Sequence, residues 1–181
     1  MRKFFRILLL SAFVVFYSCS NGATAADDND DYDDIVDVEV MNCFNAINNF
    51  RTSDTWLWDE SGTTQVPVTG LSAFVLDKDL CKVAQLRANE LLIDFSHTRP
   101  NGQICYTAYQ DAGVSLSPRG ECAGAGLPSG EWVAELFFEE IRFNFQGHRR
   151  LLLDSDATKI GIAYAYSPNS QCYYWIVEIA R

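Results

Sequence analysis

The spacing of apolar residues changes along this chain, and that change constrains the fold more than any single motif. Val36, Val40, Phe44, Ile47 and Phe50 recur at three- and four-residue intervals, the period of an amphipathic helix. Leu80, Val83, Ala84, Ala88, Leu91 and Phe95 repeat the pattern from Asp79 onward. Arg99 precedes Pro100 and is pushed out of the helical region, so this second helix is expected to end near His97, with Pro-Asn-Gly making the turn. A third helix is predicted from Glu131, with Trp132, Val133, Leu136, Phe137 and Ile141 on its apolar side. In the C-terminal third the period falls to two. Ile160, Ile162, Tyr164 and Tyr166 alternate with Gly and Ala, and "CYYWIVEIA" is apolar and aromatic, so both read as strands. Between the first two helices, "TWLWDESGTTQVPVTGLSAF" has the Trp, Thr, Val and turn residues of a hairpin or ordered loop. Helices early and strands late predict a layered α+β domain rather than a βαβ sheet.

Not all of the 181 residues belong to that domain. Arg2, Lys3 and Arg6 precede an almost uncharged apolar run to Tyr17, short for a membrane span and followed by small residues, which reads as a secretory signal. Two cuts fit. Ser18-Cys19 resembles a bacterial lipobox, with Phe16 where Leu is preferred, and we read Cys19 as the lipidated new N-terminus. A cut after Ala25 in "ATAAD" is the alternative. The expected division is a signal peptide over 1–25, an acidic tether over 26–39 and a folded domain over 40–181. The tether repels itself and lacks the apolar surface to fold.

The formal charge of −10 mostly reflects that tether: eight of the 24 acids lie between Asp27 and Glu39. Without the leader's three bases, sixteen acids face eleven bases in the remainder. A mildly acidic domain with no basic stripe is not a nucleic-acid binder, and membrane contact is expected only through the N-terminal lipid. About 140 residues suffice for one domain with a real core. Five cysteines remain after Cys19: Cys43, Cys81, Cys105, Cys122 and Cys172. An exported chain can form disulfides, but five leaves at least one free thiol, and which of them pair is not readable from spacing. No CxxC pair occurs, so neither a zinc ribbon nor a thioredoxin-type site is indicated.

The chain has only two histidines. His97 stands in "SHTRPNG", at the expected end of the second helix, where the helix dipole favours an imidazolium and capping is a sufficient structural use. His148 follows Gly147 in "FQGHRR" and taken alone is unremarkable. Glu121, in the Gly/Ala-rich "PRGECAGAG", is an acid in an otherwise apolar stretch, where a charge is costly unless paired. Glu140 follows "LFFE" on the third helix, beside a second acid, Glu139. Two imidazoles and two carboxylates are the donor set of a divalent metal site or of acid/base chemistry. Spacing alone does not bring them together.

"FSHTRPNGQICYTAYQDAGV", "RGECAGAG", "LFFEEIRFNFQGHRRLLL", "TKIGIAYAY" and "YYWIVEIA" occur in that order. Together they resemble the CAP superfamily (cysteine-rich secretory protein, antigen 5 and pathogenesis-related 1), in particular its bacterial SCP-like extracellular branch, from the first helix to Arg181. The resemblance implies a three-layer α-β-α sandwich whose central cleft holds His97, Glu121, Glu140 and His148. It places Phe137 where Trp is usual and Cys122 where the family's Gly-Glu-Asn motif has Asn. The stretch "FRTSDTWLWDESGTTQVPVTGLSAF" is longer than the family's usual link and is expected to cover part of the cleft.

The same resemblance implies an extracytoplasmic, non-enzymatic binding module able to take Zn²⁺ or another divalent cation, with the histidines as ligands and the glutamates holding water or orienting them. Its partner would be a small hydrophobic ligand, a peptide or a cell-surface component. The alternative is a metal-assisted, peptidase-like hydrolase with Glu121 or Glu140 as general base. A third reading makes the four residues a structural tie between helices and sheet. HExxH and GxSxG are absent, which weighs against the enzyme, and Ser96 beside His97 is not read as a nucleophile.

Overall fold

The computed structural model describes residues 37–138 and 146–181. The leader with Cys19, most of the expected tether, and Glu139, Glu140 and Ile141 lie outside the described residues.

The first helix, α1 (Val38–Thr52), starts where Asp37 Oδ1 accepts the amide hydrogen of Glu39 at 2.8 Å, satisfying a donor the helix cannot use. A short hairpin follows, β1 (Thr55–Trp58) with β2 (Gln65–Val68), and then β3 (Val75–Leu76). The second helix, α2 (Lys78–Leu91), is capped by Asp77, which accepts from the Leu80 amide at 3.0 Å and pairs with Lys159 Nζ at 2.7 Å. The chain continues through α3 (Thr107–Asp111), β4 (Pro118–Ala125), α4 (Gly130–Phe138) and α5 (Gly147–Leu152). It ends in the hairpin of β5 (Lys159–Ser167) and β6 (Cys172–Ala180).

The main sheet has the order β3-β5-β6-β4, antiparallel except for the parallel β3–β5 pair. Side chains alternate between its two faces. Ile160, Ile162, Trp175, Val177, Ile179 and Cys122 point to one side, into a core with Val40, Cys43 and Ile47 of α1, Val133, Ala134 and Phe137 of α4, and Leu152 of α5. Ala163, Ala165, Ile176 and Ala180 point to the other, against Leu80, Val83, Ala84, Ala88 and Leu91 of α2. The result is the expected sandwich: α1, α4 and α5, then the sheet, then α2 and α3. Two glycines set the spacing of these layers. A Cβ at Gly161 would overlap the Leu80 carbonyl of α2, and one at Gly130 would overlap the Glu39 carbonyl of α1.

Arg51, 3 % exposed, ties α1 to two loops through backbone carbonyls. Its guanidinium donates to the oxygens of Ser72 at 2.7 Å, Leu152 at 2.7 Å, Asp154 at 3.0 Å and Ala157 at 2.9 Å, and lies over the Phe74 ring.

Two expectations from hydrophobic period need correction. The second helix stops at Leu91, well short of His97, because Arg87 holds the Ser96 carbonyl at 2.8 Å and draws the chain back across the helix. His97 is therefore not a helix cap. On α4 the buried face is Val133, Ala134, Phe137 and Phe138, while Trp132 and Leu136 face outward. Contact with α1 through Gly130 turns the helix, so packing overrides the apparent stripe.

Candidate functional site

Strand β4 is the edge of the sheet, and its small residues let helices approach on one side while Glu121 points to the other. Glu121 is paired across the strands with Glu178 of β6, and both are buried. Two carboxylates side by side in a low-dielectric setting repel and lose hydration. The fold answers with a cation and a proton.

The cation is Arg87, fully buried on α2. Its Nε donates to Glu121 Oε2 at 2.7 Å, and a terminal nitrogen reaches Glu121 Oε1 at 3.2 Å. This two-point grip is the strong form of the guanidinium–carboxylate pair. The same guanidinium donates to Glu90 Oε2 at 2.5 Å. Glu90 in turn receives Arg99 at 2.7 Å, and Arg99 also binds Asp111 at 2.7 Å and the Thr107 hydroxyl at 2.9 Å. The "HTRPNG" turn is thus fastened on both sides of His97: by Arg99, and by Arg87 through Ser96. Its bend is completed by Gly102 at φ +82°, with the Gly102 amide donating to the Arg99 carbonyl at 2.8 Å.

So held, His97 places Nδ1 2.7 Å from Glu121 Oε1. The carboxylate accepts, so Nδ1 carries the hydrogen and Nε2 faces outward from a side chain that is 59 % exposed. The hydrogen bond to Glu121 raises the His97 pKa, against a smaller opposing effect of burial. Burial alone would raise the Glu121 carboxyl, but the hydrogen bonds from His97 and Arg87 outweigh it and hold the group below the usual carboxylate range.

Glu178 goes the other way. Burial, and then the neighbouring charge of Glu121, raise it well above the ordinary range. Its Oε2 accepts from the Tyr109 hydroxyl at 3.1 Å, while Oε1 receives no donor. A carboxyl that keeps its proton accounts for both, donating to Glu121 and accepting from Tyr109. Glu178 escaped the sequence reading, although a lone acid inside "CYYWIVEIA" carries the same signal that marked Glu121. Nearby, burial first and then Glu121 and Glu178 push the Cys105 thiol up to about 12. None of the five described cysteines is in a disulfide.

His148 lies on α5, in the layer across the sheet from α2. Its ring packs 4.6 Å from Phe137, and a Cβ at Gly124 of β4 would touch the same Phe137 ring at 3.2 Å. The long segment between α1 and α2 is the β1–β2 hairpin, strapped to α5. Arg149 donates to the Trp56 carbonyl at 3.0 Å and to the Thr55 hydroxyl, Arg150 to the Trp58 and Asp59 carbonyls, and the Trp58 amide donates to Gln146 Oε1 at 2.8 Å. The hairpin therefore stands beside the helix that carries His148.

The structure thus joins His97 to Glu121 and packs the His148 ring against Phe137. Among the described residues, no group of three or more His, Cys, Asp or Glu is gathered as a metal site. His97 fits the form of a ligand: Nε2 outward, with a carboxylate behind Nδ1 to fix the tautomer. Glu121 does not fit as a direct ligand, since Arg87 and His97 occupy its oxygens. The Ser96 hydroxyl accepts the Thr98 amide at 3.0 Å, a local turn contact.

No helix among the described residues is long and apolar enough to cross a membrane. The fold is similar to that of solved structures at low identity. An outer surface protein from Borrelia burgdorferi aligns with TM-score 0.58 and 17% identity, over 79% of this chain and 92% of that one. Schistosoma mansoni venom allergen-like protein 4 gives 0.56 and 17%, over 80% and 89%. NaASP2, solved with Zn²⁺, gives 0.55 and 15%, over 81% and 82%. No curated protein matches the sequence. The model of the CAP family, the cysteine-rich secretory protein family, matches residues 44–179, and the chain belongs to that family.

Proposed function

We propose that this CAP domain is an extracytoplasmic, non-enzymatic module that binds a ligand or partner beside His97, at a corner able to take a divalent cation. The observation that carries this reading is the commitment of Glu121. Its oxygens are taken by Arg87 and by His97 Nδ1–H, and its pKa is held down. A carboxylate so placed orients the imidazole and is a poor general base. His97 Nε2 would contact the metal, and His148 and Glu140 stand as further candidates. A bound Zn²⁺ would supply positive charge and an open coordination position. The Zn²⁺ in the NaASP2 structure supports asking this of the present chain. Neither a small hydrophobic ligand, a peptide nor a cell-surface component is singled out by this corner. The hydrolase reading needs a free carboxylate as base: Glu121 is committed to Arg87 and His97, and its other candidate base, Glu140, lies outside the described residues.

The test is a calorimetric zinc titration of the exported protein against the His97→Ala/His148→Ala double variant. Stoichiometric binding that disappears in a still-folded variant is expected. No binding by the parent protein removes the metal, and metal-dependent turnover of a peptide would overturn the non-enzymatic reading. Tethering through a lipidated Cys19 is part of the same proposal, and the intact mass of the exported protein distinguishes it from a chain beginning at Ala26.

A further inference from the structure

Between α2 and α3 the chain bends in the turn Arg99-Pro100-Asn101-Gly102. Arg99 is buried, and the three residues after it are exposed. Two asparagines of the chain precede a glycine, Asn21 and Asn101, and Asn101 is the one among the described residues. Asn and Gly suit such a bend, but the pair also carries a reaction of its own. A peptide nitrogen that follows asparagine can attack the side-chain Cγ, and glycine has no side chain to shield it.

The turn prepares this attack in one respect and restrains it in another. Asn101 Oδ1 accepts the Gln103 amide hydrogen at 3.0 Å, and Nδ2 donates to Gln103 Oε1 at 3.1 Å. Both bonds fold the carboxamide forward over the Gly102 peptide. A Cβ at Gly102 would meet nothing within 4 Å, so no neighbouring group obstructs the approach. The restraint is the Gly102 amide hydrogen, which the Arg99 carbonyl holds at 2.8 Å, beside a second bond from the Arg99 amide to the Gln103 carbonyl at 2.8 Å. The nitrogen must give up that hydrogen to react. Exposed turns open at small cost, so the bond slows the reaction without preventing it.

We propose that Asn101 is a site of spontaneous deamidation restrained by the Arg99–Gly102 turn, and that its isoaspartate product disturbs the turn that presents His97. The Gly102 nitrogen loses its proton and bonds to Asn101 Cγ, the Cγ–Nδ2 bond breaks, and ammonia leaves. Water then opens the resulting succinimide. Opening at Cγ leaves an aspartate, which keeps the acceptor for the Gln103 amide. Opening at the former main-chain carbonyl leaves an isoaspartate, whose backbone runs through Cβ and Cγ and is one atom longer. The bond from Gly102 to the Arg99 carbonyl cannot close in that longer turn as it does now, and His97 stands two residues before Arg99. This inference does not depend on what binds beside His97.

The test ages the exported protein in mildly alkaline buffer, folded and in urea, and follows the peptide containing Asn101 by mass spectrometry and isoaspartyl methyltransferase labelling. Peptide mapping separates it from Asn21. Conversion in the folded protein is expected, about tenfold slower than in urea, where the turn no longer holds the amide. Gly102→Ala, compared with the parent chain in urea so that folding plays no part, is expected to convert more slowly because a side chain now shields the nitrogen. The isoaspartate form, separated by ion exchange, should show a displaced His97 imidazole NMR signal with the His148 signal unmoved. Freshly prepared Asn101→Asp carries the same added charge without the longer backbone and should keep the parent His97 signal. No conversion at Asn101 in the folded protein, or equal rates folded and unfolded, would overturn the restrained site. A His97 signal unchanged in the isoaspartate form, or displaced equally in Asn101→Asp, would overturn the effect of the longer turn.

Discussion

Strands β4 and β6 present opposite chemistries on their two faces. On the α2 side, Glu121 and Glu178 sit opposite one another among Arg87, His97 and Tyr109. On the α1 side, the next pair along, Cys122 and Val177, belongs to an unbroken apolar core. Buried cations flank both faces, but they are satisfied differently. Arg87 is held by carboxylates, and Arg51 by four backbone carbonyls. Carbonyls do not titrate and carboxylates do, so only one face should respond to pH. The difference teaches that a buried arginine is not by itself a sign of function. The company of several titratable groups, one of them opening to solvent, is what sets the α2 face apart.

Replacing each arginine by methionine breaks that comparison most severely. Arg87→Met strands Glu121 and Glu90 without their cation, and the expected loss of stability near neutral pH is about 3–5 kcal/mol. Both carboxylates have pKa values lowered in the folded state. Their favourable contribution is present above the unfolded carboxyl pKa and fades as pH falls through the folded value. The Arg87→Met deficit should therefore shrink in acid. Arg51→Met leaves four carbonyls without a donor and should cost about 2–4 kcal/mol, with no comparable recovery in acid. Urea unfolding of both variants from neutral pH down to the lower carboxylate range checks this. Parallel pH profiles would show that the two faces do not differ in the way argued.

Glu178→Gln sharpens the comparison in the opposite direction. A carboxyl whose folded pKa is raised is favourable below its unfolded pKa and becomes a liability as pH rises above it, because the unfolded chain can ionise the group and the folded chain resists. Glutamine keeps an acceptor for Tyr109 and a donor for Glu121 while removing that liability. The variant is expected to gain about 1 kcal/mol above neutral pH and nothing in acid. A loss of stability at every pH would show that Glu178 is ionised in the folded protein and held by its neighbours.

The layered α+β class was legible in the change of period, because β5 and β6 each bury side chains on the two faces of the sheet and so read as dense apolar runs. The ends of α2 and the orientation of α4 were not. Phe95 continues the helical pattern, yet like Leu92 and Ile93 it stands exposed after the helix has stopped. What stops it is Arg87 gripping a carbonyl nine residues on, a tertiary contact that no window of sequence contains. At the site, Glu121 was visible as an acid in a Gly/Ala-rich stretch, and the family resemblance named it with His97. Arg87 and Arg99 were hidden, since arginines on a helix and in a turn are ordinarily exposed. Their burial follows from partners brought together by strand pairing and by the turn. The same long-range pairing sets Glu178 against Glu121, and neither strand alone discloses it.

The smallest expected effect separates the corner's structural use from its binding use. His97 is more than half exposed, so its bond to Glu121 is screened by solvent and contributes no more than about 0.5 kcal/mol. Because its folded pKa is raised, that contribution is present below the unfolded histidine value and disappears as pH rises through the folded one. His97→Ala should therefore be slightly destabilised in mild acid and match the parent protein in mild alkali. Thermal unfolding across that range reads the difference directly. A large loss at all pH values would make His97 a structural tie between loop and sheet. A small loss confined to the acid side leaves the Arg87 and Arg99 contacts as sufficient to hold the turn. His97 is then dispensable to the fold, and its outward Nε2 is free to serve a ligand.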